Sequence, residues 1–188
     1  MVFARNLGHT IVQTTPALVP LLLEERDRFS INRELSGVSQ DVELAVWVDG
    51  RVSTRLKGSL LWTHFGISGP VALNASRHWL RAEVEKRPVR LTVNFCAGIA
   101  FAAQEEWWTS TTAARPKASV MSVLSTRVPA AVAAAVIRSV NVDPTSARPS
   151  YVRRTEDAHD RVGRMAVGRD RCLWLELRRT HGRRRHAR

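Results

Sequence analysis

Cysteine is nearly absent from this chain: Cys96 and Cys172 are the two in 188 residues. They lie far apart and fit no metal-ligand or redox spacing, which excludes a disulfide scaffold. With that usage a reduced, cytoplasmic protein is the expectation. Long apolar runs are missing as well. The longest, Val128 to Ile137, is about half of the ~20 residues a membrane helix needs, so no membrane span or membrane partner is expected. No apolar core follows Arg5, because His9, Gln13, Thr14 and Thr15 interrupt it, and a signal peptide is not expected. The ten glycines include no G-x-G pair, so the phosphate turn of a dinucleotide-binding fold cannot be built from this chain. Gly163 to Gly168 has the glycine spacing of a P-loop, but Arg169 and Asp170 follow where Lys and Ser/Thr belong. No metal cluster is legible, and no catalytic residue can be assigned from residue order alone.

Lysine is also scarce, with Lys57, Lys86 and Lys117 set against 26 arginines. The formal net charge is +12, and it is uneven. Residues 1–150 hold 17 basic against 12 acidic residues, whereas residues 151–188 hold 12 arginines against 5 acids. A basic tail suggests a nucleic-acid clamp, or at least weak nonspecific polyanion binding. Contact with phosphate draws on lysine as well as arginine, so an arginine-only excess fits GC-rich coding equally well. Hydrophobic residues make up 44% of the chain, enough for one domain or one domain with a small satellite.

Residues 2–8 read as the end of a helix stopped at Gly8. His9 to Gln13 reads as a short strand, and Pro16 and Pro20 hold Ala17 to Val19 extended. Leu21 to Ile31 is mixed, a turn of helix and then a connecting loop. The clearest β-signal follows: Val42, Leu44, Val46 and Val48 alternate with Glu43, Ala45, Trp47 and Asp49, as a strand with one buried face would. Asp49-Gly50 is the favoured type I′ hairpin pair, and Arg51 to Leu56 returns as the partner strand, continued by Gly58 to Thr63. Pro70 starts a helix over Val71 to Val84, and Val89, Leu91, Val93 and Phe95 alternate as another strand. Residues 99–140 are α throughout, in three segments. The expected unit is antiparallel β over residues 9–20, 41–63 and 89–96, closed as a small barrel or sandwich, with a separate helical lobe. Beyond residue 145 periodicity is lost, apart from one apolar patch at Leu173, Trp174, Leu175 and Leu177.

Leu61 to Pro70 packs a strand, a glycine-bearing turn and a proline-started helix into ten residues. A helix N-terminus carries unpaired N–H groups and partial positive charge, which suit an anion or a flavin carbonyl. Gly66 and Gly69 permit close approach of a ligand or of another backbone. Thr63 and Ser68 offer hydroxyls, and His64 a proton-transfer group. In the plainer alternative the glycines only form the turn and His64 satisfies backbone groups.

Four segments occur in order: Gly8 to Val12, Thr15 to Leu21, Leu35 to Ser39, and Gly58 to Pro70. Together they resemble the middle of the BaiN-like NAD(P)/FAD-dependent oxidoreductases, also labelled aminoacetone-oxidase-like flavoproteins, over roughly residues 1–145. The resemblance implies an α+β chain holding the family's small antiparallel β-barrel-like insert domain and helical subdomain, without the Rossmann FAD domain. It divides the chain into the end of a flavin-domain helix (1–8), the barrel-like insert (9–98, with a helix over 70–84), the helical subdomain (99–144) and an irregular, basic C-terminal tail (145–188), disordered or frameshifted. It further implies that Thr63, His64, Gly66, Ser68 and Gly69 face cofactor or substrate, that FAD is the family's cofactor, and that the missing flavin domain is the partner. The isolated chain, a fragment of an oxidoreductase, is expected not to bind FAD. The competing expectation is a nucleic-acid-binding module using the arginine-rich tail.

Overall fold

A computed structural model of the chain describes residues 2–23, 31–139, 144–145, 165–168 and 171–177. Its elements run α1 (Val2–Asn6), β1 (Leu21–Leu22), α2 (Ile31–Glu34), β2 (Ser39–Val48), β3 (Arg51–Thr63), β4 (Gly66–Ser68), α3 (Pro70–Val84), β5 (Val89–Asn94), α4 (Phe101–Ala114), α5 (Val120–Leu124), α6 (Ala130–Ser139), β6 (Met165–Gly168) and β7 (Arg171–Leu177). The strands form one antiparallel sheet in the order β1-β4-β3-β2-β5-β7-β6. Five of them, β1 to β5, make a curled half-barrel, and with the helices the fold is α+β.

The β2–β3 hairpin anchors the sheet. Asp49 and Gly50 both take positive φ, 51° and 77°, the geometry of the type I′ turn that matches strand twist. The ladder then runs from Val48↔Arg51 to Ser39↔Leu61, with one irregularity between Val46 and Trp47. Val42, Leu44, Val46 and Val48 point to the core as their spacing requires. Glu43 and Ala45 on the other face are buried too, so β2 is covered on both sides rather than on one.

Helix α3 begins at Pro70, where the missing N–H costs nothing, and buries Val71, Ala72, Ala75, Trp79 and Leu80. The three helical segments expected over residues 99–140 are α4, α5 and α6. Val120, Leu124, Val132, Val136 and Ile137 from the last two join the sheet residues in one continuous apolar cluster. Among the described residues no helix is long and apolar enough to cross a bilayer.

Three expectations need correction. His9 to Gln13 is not a strand; the edge strand is β1, at Leu21–Leu22, paired with β4. The segment before β1 is tied to α3 by side chains instead, since Val19 N–H donates to Ser76 Oγ (3.1 Å) and Arg81 donates to the Gln13 carbonyl (3.0 Å). Gly66–Ser68 is a strand and not merely a turn. Finally, the region beyond residue 145 is not wholly irregular. Much of it lies outside the described residues, but β6 and β7 pair with each other and β7 pairs with β5. The register sets Leu175 opposite Val93 and Leu177 opposite Leu91, so the alternation in the apolar patch matches that of β5.

Candidate functional site at the β3–β4–α3 corner

Thr63 closes β3, His64 and Phe65 form the turn, and Gly66, Ile67 and Ser68 return as β4 before Gly69 caps α3. The five residues singled out in the sequence therefore fall on one corner. The turn is fixed from both sides. Thr63 Oγ1 donates to the Gly66 carbonyl (3.0 Å), and the buried Asn32 side chain donates to the His64 carbonyl (3.0 Å). The His64 ring is exposed and lies edge-on to Phe65, with centroids 4.9 Å apart. Ser68 is half-buried.

The two glycines have a structural cause. A Cβ on Gly66 would stand 2.1 Å from the Leu21 carbonyl oxygen, because the backbone of its paired neighbour β1 lies against it. A Cβ on Gly69 would stand 2.8 Å from both Leu61 N and Ser59 O, and its φ is +86°. Backbone, not open space, occupies both positions. The first turn of α3 is likewise packed, with Val71 and Ala72 buried against β3. Of the two approaches that the glycines permit, the structure fills the one by another backbone.

What the corner presents outward is apolar. Leu22, Leu61 and Phe65 are 40%, 36% and 39% exposed. Leu22 pairs with Gly66 and Leu61 with Ser68, so all three frame β4 and the turn before it. Leu21 and Leu23, on either side of Leu22, are buried. Sequence reasoning passed over Leu22, although an apolar residue at the outward position between two inward leucines was the available signal. Exposed clusters of this sort mark contact surfaces. Among the described residues no group of three or more His, Cys, Asp or Glu side chains could hold a metal ion.

A curled antiparallel sheet joined to a short-helix unit makes this a barrel-and-helix domain, and its family matches are those of a flavoprotein oxidoreductase-family domain. The chain belongs to the HI0933-like family: residues 15–157 match its barrel and H2TH domain. Two curated relatives are similar over part of their length. One is the 3-dehydro-bile acid delta(4,6)-reductase of Clostridium scindens, 30% identical over 92 residues, 49% of this chain and 22% of the relative. The other is the ribosomal RNA dihydrouridine synthase of Haemophilus influenzae, 34% identical over 80 residues, 43% of this chain and 18% of the relative. The aligned stretch is thus about a fifth of each relative's length.

Proposed function

We propose that this chain is the insert domain of a longer or split cytoplasmic FAD-dependent oxidoreductase, and that its β3–β4–α3 corner docks against the flavin domain. The observation that carries this reading is the exposed apolar trio Leu22, Leu61 and Phe65 around the motif Thr63 to Pro70. A domain that worked alone would have little reason to expose these side chains around its most constrained turn. His64 and Ser68, beside the trio, are the polar groups that reach the flavin or substrate side of the joint. Gly66 and Gly69 shape the corner so that it can be flat. FAD would be held mainly by the flavin domain, whose glycine turn and helix N-terminus bind pyrophosphate. The purified chain is therefore colourless. The chemistry of the whole protein is a flavin-dependent reduction, since both relatives' names denote formation of a reduced product.

The test is a chimaera in which residues 15–145 of this chain replace the matching segment of the Haemophilus influenzae relative. Retained flavin absorbance is expected, with Leu61→Glu and Phe65→Glu each lowering flavin retention while this chain alone keeps its circular dichroism. A chimaera that binds flavin equally well with both substitutions would remove the corner from the joint. Stoichiometric flavin in the purified chain alone would show that it needs no partner domain.

A further inference from the structure

The border of β3 that faces away from β2 is a feature that the corner does not use. Among the described residues, Arg51 to Leu60 pairs with β2 alone, and β4 joins only at Leu61 to Thr63. Gly69 backs the end of that stretch, since a Cβ there would stand 2.8 Å from Ser59 O and Leu61 N. The run from Arg51 to Gly58 therefore turns alternate N–H and C=O groups toward a side where no described strand lies. Its two faces differ. Val52, Thr54 and Leu56 are half-buried, and Leu56 packs against the apolar cluster. Arg51, Ser53, Arg55 and Lys57 alternate with them and are exposed, and β3 holds no acidic residue. Arg55 is held 3.0 Å from Glu43, whereas Lys57 Nζ lies 3.9 Å from that carboxylate, beyond hydrogen-bond range, with its side chain 63% exposed. A second copy of the chain matches this border poorly. Antiparallel pairing of two such strands about Thr54 would set Arg51 opposite Lys57 twice, and like charges directly opposite destabilise a ladder.

We propose that the border from Arg51 to Gly58 takes up an extended acidic segment of another protein as an added antiparallel strand. Acidic side chains of that segment lie opposite Arg51 and Lys57, and small apolar ones lie beside Val52 and Leu56. The charge pattern that turns away a like copy is the one that an acidic strand complements. Backbone groups supply the affinity and side chains the choice of partner, as in other cases where a peptide lengthens a sheet. Arg51 and Lys57 stand six residues apart, about 20 Å along the strand, so the segment carries acids six positions apart on one face. On its other face, alternate apolar residues continue the half-buried row of Val52, Thr54 and Leu56. This inference does not rest on the flavin reading, because Arg51 to Gly58 takes no part in the corner.

The experiment is fluorescence anisotropy of the full chain with a labelled peptide of about nine residues in which glutamate alternates with valine. A peptide with lysine in place of glutamate tests charge. Two further forms keep the glutamates but are N-methylated, one at every valine and the other at every glutamate. In a ladder only every second N–H of the peptide faces the border. One methylated form should therefore bind about tenfold more weakly than the parent, and the other should bind as the parent does. Arg51→Glu/Lys57→Glu should turn the preference toward the lysine peptide. Arg51→Glu alone should weaken the glutamate peptide about threefold, and serves if the double variant does not fold. Hydrogen exchange with the parent peptide bound should show new protection on β3 between Arg51 and Gly58. Equal binding of the two methylated forms would mean that charge alone, the arginine-rich tail included, holds the peptide, and would overturn the proposal. So would a preference for glutamate that survives these substitutions, or a parent peptide that does not bind.

Discussion

Gly66→Ala separates two reasons for a glycine at the corner. The new Cβ would lie 2.1 Å from the Leu21 oxygen and 3.0 Å from Leu22 Cα and Leu23 N. All three are backbone atoms of the strand that pairs with Gly66, so no side-chain rotation relieves the contact. If β1 stays in place, overpacking of about 1–3 kcal/mol adds to about 1–3 kcal/mol of backbone strain at φ +156°. If β1 peels away, Leu21 and Leu23 leave the core, each worth about 1.5–3 kcal/mol. Either route costs on the order of 3 kcal/mol, which for a chain of this size lowers Tm by about 6–12 °C. Gly37→Ala is the control, since its φ is +87° but nothing lies within 4 Å of the new Cβ. There the handedness penalty alone, about 1–2 kcal/mol, applies. Thermal and urea unfolding followed by circular dichroism give the energies. Hydrogen exchange at Leu23 N–H, which bonds the Phe65 carbonyl at 3.1 Å, reports whether β1 has detached. A Gly66→Ala protein as stable as Gly37→Ala, with Leu23 still protected, would refute the backbone-contact argument and return Gly66 to a role in ligand approach.

Ser119 caps α5 by accepting from Ser122 N–H, and Ser119→Ala should cost about 1 kcal/mol in urea unfolding. Burial, and then the neighbouring Arg77, lowers the His78 pKa below its ordinary 6.5. The unfolded chain therefore binds the proton more readily, so the stability tied to neutral His78 is full above pH 6.5 and falls as pH drops toward the folded pKa. His78→Gln should flatten that part of the stability–pH curve, and an unchanged curve would mean another group governs it. Burial pushes the Cys96 thiol up, against a smaller opposing pull from Arg127. In a Cys172→Ser background, labelling by a disulfide reagent should be slow in the folded chain and fast in urea.

The β2–β3 hairpin was legible because two independent signals agree, strict alternation over residues 42–49 and a turn pair suited to positive φ. Helix α3 was legible for a similar reason: Pro70 marks its first turn and apolar spacing marks its buried side. The edge strand was not. Leu21 and Leu22 give a two-residue ladder, too short for any period, and what fixes them is pairing with β4 and the close approach of Leu21 to Gly66, a contact 45 positions away. His9 to Gln13 had β-like composition, but residues 13–19 spend their polar groups on α3, a tertiary choice that local pattern does not record. In β7 the alternation of Leu173, Leu175 and Leu177 was masked by Trp174 between them and by the arginines around it. At the corner, sequence located the five candidate residues but could not say what each faces. Whether a glycine makes room for a ligand or for a neighbouring strand depends on where β1 runs.

The order of the strands also governs how the chain meets other copies of itself. The longest strands sit differently: β2, with ten residues, lies between β3 and β5, whereas β3, with thirteen, has β4 as its second neighbour over Leu61–Thr63 alone. The outermost are β1, with two residues, and β6, with four. Among the described residues the longest open border is the stretch of β3 from Arg51 to Leu60, which pairs with β2 alone. Arg51, Arg55 and Lys57 lie along it, and cationic side chains on an open strand keep a second copy of the chain from continuing the ladder. Charge, not the shortness of the strands, is then what separates this chain from the cross-β growth that long open borders invite.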